Sequence, residues 1–162
     1  MSEKARLKNI DYERLLPIAY PLANRFYKQT GEKGKTQSTD EVYVARFDTS
    51  IIAVVRLCPL VKGPAFVDTP SKRLLLRSLA VSPEYRRVGV GSQFMEYVVQ
   101  HIGVRECWCY PFIWLESFYE QVGFEVVDPD DSPEIIRSPF ENYRRQGRDI
   151  LIMVRRKQGA KV

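Results

Sequence analysis

Histidine, cysteine and long apolar runs are all scarce in this 162-residue chain, and each scarcity excludes something. The single histidine, His101, falls near the end of a predicted helix. A surface or capping role is expected there, and no catalytic triad assembles around it. The three cysteines, Cys58, Cys107 and Cys109, are too few and too odd in number for a disulfide framework. Cys107 and Cys109 flank Trp108 with no histidine or further cysteine nearby, which makes a poor zinc site, so no metal is expected. On a strand both would share one face and pack as small apolar side chains. The longest apolar runs, such as Ile51 to Val55, are far too short to cross a bilayer. Met1 to Asn9 is polar and charged, without the apolar stretch of a secretory signal. A cytoplasmic chain with reduced thiols and no membrane partner is the expectation.

What is present suits a globular protein. Apolar residues make up 44% of the chain and charged residues 28%, enough for one sizeable core and one domain over residues 1–162. The formal net charge is +5 and the pI about 9.2, which suits either nucleic acid or an anionic ligand such as a phosphorylated cofactor. Part of the excess sits in Arg155-Arg156-Lys157 with Lys161, read as a solvated tail. No aromatic-basic RNA motif accompanies it, and nucleic acid is not expected as a partner.

Periodicity supplies the elements. Ala5 to Asn9 reads as a short first strand. Asp11 would then cap a helix carrying Leu15, Leu16, Ala19, Leu22, Ala23 and Phe26, kinked or split by Pro17 and Pro21. Gly31 to Asp40 and Asp128 to Pro133 read as polar loops. Glu41–Phe47 and Ile51–Leu57 form a hairpin across Asp48-Thr49-Ser50. Leu74–Val81 has the pattern of a strand buried between layers. Ser92–Ile102 places Phe94, Met95, Val98, Val99 and Ile102 on one helical face. Val104–Tyr110 returns to a strand pattern, Trp114–Val122 to a helix closed by Gly123, and Phe124–Val127 and Asp149–Val154 to short strands. The order predicts an α+β or three-layer α/β domain with a mixed sheet.

Chemistry concentrates in Leu79-Ala80-Val81-Ser82-Pro83-Glu84-Tyr85-Arg86-Arg87-Val88-Gly89-Val90-Gly91-Ser92. A strand runs through a basic, glycine-containing turn into an amphipathic helix. Such a turn is an anion site: free N–H groups at the helix start point outward and the helix dipole adds positive charge. Gly89 and Gly91 would let the backbone approach a phosphate and take angles other residues resist. Arg86 and Arg87 would add charge-assisted hydrogen bonds. The glycine-lysine-Ser/Thr loop of nucleoside triphosphate binders and the three-glycine dinucleotide fingerprint are both missing.

Arg86-x-x-Gly89-x-Gly91 after Leu-Ala-Val-Ser-Pro resembles the pyrophosphate motif of the GNAT superfamily of acetyltransferases. Phe118-Tyr119-Glu120-Gln121-Val122-Gly123-Phe124 is similar to that family's FYxxxGF element, in the right order and spacing over Leu74 to Val127. The resemblance implies a mixed, mostly antiparallel sheet flanked by helices, with acetyl-CoA lying where the parallel strands Leu74–Val81 and Val104–Tyr110 splay apart. It implies that the backbone of Leu79, Ala80 and Val81 holds the pantetheine arm. Arg86, Arg87, Val88, Gly89, Val90, Gly91 and Ser92 would hold the pyrophosphate. A primary amine would attack the thioester directly, and Tyr119 would protonate the departing thiolate. Many members form homodimers.

The chain also departs from the family pattern. Leu74–Val81 carries no carboxylate to serve as base, and Asp68 and Glu84 on either side are unconvincing substitutes. Phe112 and Leu115 stand where many members have Asn and Ala. A non-catalytic acyl-CoA sensor therefore stands as the alternative to an enzyme with an amine-bearing acceptor. Trp108, Tyr110, Phe112 and Trp114 suit either an acceptor pocket or the core. Arg137, Arg144, Arg145 and Arg148 read as a solvated face, with an acidic acceptor as the other reading.

Overall fold

The computed structural model describes residues 9–60 and 72–156. Most of the first strand expected at Ala5 to Asn9, as well as Asp68, Lys157 and Lys161, lie outside them. Among the described residues seven strands form one sheet: β1 (Ile10–Arg14), β2 (Glu41–Phe47), β3 (Ser50–Pro59), β4 (Arg73–Val81), β5 (Glu106–Cys109), β6 (Glu125–Val126) and β7 (Met153–Arg155). Their order is β1-β2-β3-β4-β5-β7-β6. Every neighbouring pair is antiparallel except β4 and β5.

Four α-helices cover the two faces: α1 (Tyr20–Thr30), α2 (Val90–Ile102), α3 (Glu116–Glu120) and α4 (Glu134–Arg145). Alternation along the strands decides which side chain meets which layer. Val42 and Val44 of β2 and Val54 of β3 pack with Ala23, Phe26 and Tyr27 of α1. Their neighbours Tyr43, Ala53, Val55 and Leu57 pack with Phe94, Met95, Val98 and Ile102 of α2, which also meet Cys107, Cys109 and Tyr119. A third cluster joins Trp108, Ile150, Ile152 and Val154 to Ile136 and Phe140 of α4. Helices α1 and α4 thus share one face, and α2 and α3 the other.

Three local expectations change. Asp11 sits in β1, paired with Arg46, and caps nothing. The two prolines resolve into two helices, with Pro17 opening a 3-10 turn and Pro21 in the first turn of α1. There a missing N–H costs nothing, because first-turn donors have no intrahelical partner. Leu16 is exposed, so the predicted apolar stripe is narrower than it looked. The arginine-bearing segment before the last strand, given no element from the sequence, is α4. Ile136, Phe140 and Tyr143 recur at helical spacing, but Pro139 lies inside the helix and hides the pattern.

Both Cys107 and Cys109 pack on the α2 side, as alternation requires, while Trp108 faces α4. Burial pushes the thiols of Cys58 and Cys107 up to about 12. It raises Cys109 and the Tyr27 hydroxyl as well. An unfolded chain releases its thiol protons near pH ~8.5. The folded chain holds them longer, so this contribution to stability is complete below that pH and is lost as pH climbs toward 12. Melting followed by calorimetry should give a level Tm between pH ~7 and ~8 and a progressive fall above ~9. A Tm held to pH ~11 would contradict sealed thiols.

Candidate functional site

The parallel strands part early. Only Arg73 to Leu75 of β4 are in register with Glu106 to Trp108 of β5. Beyond Cys109 the chain turns to the β7 side: Leu151 N–H donates to Pro111 O at 2.9 Å, and Phe112 bridges Ile150. The rest of β4, from Leu76 to Val81, ladders with β3 alone. A cleft of about 280 Å³ opens there through the sheet. Leu76 to Leu79 form one wall and Cys109 to Phe112 the other, with Leu115 and Tyr119 on the α3 side.

Strand β4 is irregular where it lines this cleft. Arg56 is opposite Arg77 and Val54 opposite Ala80, so Ser78 and Leu79 together face Val55. This is a β-bulge, with Ser78 in the left-handed region at φ 55°. One extra residue reverses the alternation. Leu74 and Leu76 face the α2 side before it, and Leu79 and Val81 face that side after it. Arg77 and Ser78 both face the α1/α4 side, as shown by their bonds to Tyr143 and Arg56.

A buried polar network holds the bulge. Arg56 Nη2 donates to Ser78 Oγ at 3.2 Å and Nη1 to Asp40 Oδ2 at 3.0 Å. Asp40 Oδ2 also accepts from Gln37 N–H at 2.8 Å, and Asp40 O accepts from the Tyr20 hydroxyl at 2.6 Å. Arg56 and Asp40 are only 5% and 4% exposed. The loop before β2 lies directly over Ser78. A Cβ on Gly34 would come within 2.4 Å of Ser78 Oγ, so glycine is required there by space.

The glycine turn follows. Ser82 N–H bonds Ile52 O at 2.7 Å, a 3-10 turn covers Pro83–Tyr85, and α2 begins at Val90. Gly89 occupies the N-cap at φ 87°, and no side chain caps the helix. Its first N–H groups therefore have no partner within the helix. The expectation that both glycines serve backbone angle holds for Gly89 alone. Gly91 is not in the left-handed region; a Cβ there would sit 3.5 Å from the Phe118 ring. That is an ordinary van der Waals contact, so space does not require a glycine there. Arg87 is also left-handed at φ 66°. Arg86 spends its Nε on Val81 O at 2.9 Å, bracing the turn against the end of β4. Both arginines are exposed, Val88 and Ser92 are half-buried, and Val90 anchors the helix start in the core.

Tyr119 lies on α3 between Phe118 and Phe124, edge-on to both at 5.0 and 5.5 Å. Gly123 at φ 93° lets the chain reverse so that Phe124 N–H bonds Tyr119 O at 3.2 Å. The ring is 5% exposed yet lines the cleft. Burial, with Cys109 and Cys107 as neighbours, raises its hydroxyl well above the ordinary 10. It is a phenol, not a phenolate, at neutral pH.

The remaining candidates divide. Glu84 is exposed on the turn and does not line the cleft. His101 is exposed and packs its ring 4.5 Å from Tyr97, away from the cleft. Trp108 belongs to the core, and Trp114 stacks on Phe112 at 4.7 Å in the open. Tyr110 and Phe112 do line the cleft. Arg137 pairs with Glu141, Arg144 with Asp149, and Arg145 bonds Asn142. Arg148 alone of that group reaches the cleft. Sequence reasoning missed Glu32, Arg77 and Tyr143, which also line it. Among the described residues Glu32 is the one carboxylate doing so. No local signal marks any of them, because they meet only through strand order.

A family model described as an acetyltransferase (GNAT) domain matches residues 38–126. No curated protein matches the chain in sequence. Solved structures do match in fold. The ribosomal-protein alanine N-acetyltransferase of Escherichia coli is 15% identical, with a TM-score of 0.63 over 94% of this chain and 98% of that one. A GNAT acetyltransferase from Elizabethkingia anophelis, solved with acetyl-CoA bound, is 14% identical, with a TM-score of 0.54 over 92% and 99%. N-acetylglutamate synthase from Neisseria gonorrhoeae, solved with coenzyme A and N-acetyl-glutamate, is 20% identical, with a TM-score of 0.57 over 91%. This chain spans 35% of that longer protein.

Removing Arg56 would strand the Asp40 carboxylate in the core and release Ser78. Arg56→Ala should lower unfolding stability by about 3–5 kcal/mol, as measured in urea. A loss below ~1 kcal/mol would show that the network does not hold the bulge.

Proposed function

The chain belongs to the GNAT acetyltransferase family, and from that premise we propose that it moves an acetyl group from acetyl-CoA to a primary amine by direct attack. The observation that carries this reading is the parting of β4 and β5 beside an uncapped helix start. The residues present fit acetyl-CoA as cosubstrate. The turn from Arg86 to Ser92 offers unpartnered N–H groups, exposed guanidiniums and a glycine N-cap for a pyrophosphate. Leu79 lines the cleft at the bulge and Ala80 and Val81 continue β4 beyond it, as candidate backbone partners for an amide-bearing arm. The bulge interrupts the ladder at Ser78 and Leu79, where an N–H donor toward the thioester oxygen is needed.

In this reading the amine nitrogen attacks the thioester carbonyl carbon, a C–N bond forms and the C–S bond breaks. The nitrogen loses one proton and the departing sulfur gains one, so the products are an N-acetyl amide and a free thiol. Tyr119 is placed to give the sulfur its proton, being protonated and buried at the α3 side of the cleft. Glu32, on the α1/α4 side of the cleft, is the candidate to receive through water the proton that the attacking nitrogen loses. Strand β4 itself carries no carboxylate, and Glu32 at the cleft supports the enzyme reading over the sensor alternative. The cleft holds the amine and thioester together, which supplies much of the rate.

Cys109 also lines the cleft and raises the question of an acyl-cysteine route. Burial pushes its thiol well above the ordinary value, so little thiolate exists at neutral pH. Direct transfer is therefore favoured over a two-step route.

Thiol release from acetyl-CoA across an amine panel tests the activity. Tyr119→Phe should lower kcat by about 100-fold while the Kd for acetyl-CoA stays the same; an unchanged kcat would remove Tyr119 from the reaction. Cys109→Ala should retain turnover, and mass spectrometry of the native protein with acetyl-CoA should find no acetylated Cys109. Trapping of that adduct would overturn direct attack.

A further inference from the structure

We infer that the acceptor is a small amine that also carries an anionic group, and that Arg77 and Arg148 grip that group; the inference rests on the acyl-transfer reading above. The two arginines come from distant parts of the chain. Arg77 leaves β4 just before the bulge, and Arg148 follows α4. Both arrive at one ring: Arg77 Nη2 donates to the Tyr143 hydroxyl at 3.3 Å, and the Arg148 guanidinium lies 4.7 Å from the Tyr143 centroid. Both line the cleft.

Their partners set them apart from nearby cations. Arg137 and Arg144 each face a carboxylate, and Arg145 bonds an amide oxygen. Arg77 and Arg148 have no carboxylate partner among the described residues. An aromatic ring holds a guanidinium in place without neutralising it, so its forked donors stay available. Two positive groups against the single Glu32 leave this side of the cleft net positive, which draws an anion. Two guanidiniums, one at the hydroxyl and one over the ring of the same phenol, present several N–H donors of the kind that bind carboxylate or phosphate in pairs.

Placement orders the acceptor. Arg77 and Tyr143 belong to the α1/α4 side of the sheet, whereas Tyr119 and the glycine turn belong to the α2/α3 side. The cleft crosses between them. An acceptor entering from the α1/α4 side leaves its anion with the arginines and presents its amine to the thioester. The cavity of about 280 Å³ has room for a molecule of amino-acid size. The bulge makes this possible by turning Arg77 and Ser78 to the same side while returning Leu79 to the other.

Matched acceptors test the inference: free amino acids, their methyl esters and their aminophosphonate analogues, each assayed for thiol release with acetyl-CoA. The free acid or the phosphonate should exceed the ester in kcat/KM by about tenfold or more. Preference between those two identifies the anion as carboxylate or phosphate. Arg77→Ala and Arg148→Ala should raise KM for the anionic acceptor far more than for its ester, bringing the ratio toward one, and Arg77→Lys should restore part of it. Equal turnover of acid and ester overturns the inference and leaves acyl transfer standing. A selectivity ratio untouched by both alanine variants overturns the assignment to these arginines. Acetyl-CoA that raises Tm with no thiol release from any amine defeats the transfer reading itself.

Discussion

Strands β4 and β5 share three residue pairs and then diverge, and the rest of the site depends on that parting. A parallel pair kept in register along its length would seal the sheet, and the glycine turn would end over a closed surface. The divergence follows from what each strand does next. Strand β5 ends at Cys109, and Pro111 and Phe112 are drawn to Leu151 and Ile150 on the other side. Strand β4 keeps its antiparallel partner β3 through the bulge while its neighbour leaves. The outer edge of each wall stays hydrogen-bonded, while the backbone groups of β4 that point into the opening lose their ladder partner and face the cleft.

A second constraint acts from behind. The bulge at Ser78 has an uncommon backbone angle for a residue with a side chain. Arg56, Asp40 and the close approach of Gly34 hold it there. A buried ion pair of this kind adds little net stability when intact and costs much when one member is lost. Its value here is positional: it determines which side chains of β4 face α2 and which face α4. The loop before β2, which carries Asp40 and Gly34, thereby helps shape a cleft on the far side of β4.

The two sides of the cleft differ in character. The α2/α3 side offers backbone donors and a protonated, nearly sealed phenol. The α1/α4 side offers two guanidiniums, an exposed carboxylate and a tyrosine. Neutral dipoles suit a ligand held by its backbone-like amides and phosphates, while discrete charges suit selection among small acceptors. The core thiols Cys107 and Cys109 pack on the α2 side, and burial raises both, which disfavours the thiolate.

The chain's short-range patterns were legible without coordinates. The hairpin of β2 and β3, the amphipathic α2, the turn from Arg86 to Ser92 and the helix-glycine-strand element around Tyr119 each lie within a few residues of their own signals. Periodicity and glycine angles operate over that range. Strand β1 reads from the sequence as a helix start at Asp11, because Ile-Asp-Tyr-Glu-Arg is polar and takes its strand form from pairing with β2. Helix α4 was concealed by Pro139 and is held by contacts with Trp108 and Ile150. Ser78, Arg56 and Asp40 gave no hint of one another. Glu32, Arg77, Tyr143 and Arg148 meet only because β5 lies between β4 and β7. The sequence by itself determined the hairpin, helix α2, the glycine turns and the family, since these follow from neighbours along the chain. The tertiary structure decided the cleft and its charges, since those depend on which strands lie side by side and where their pairing stops.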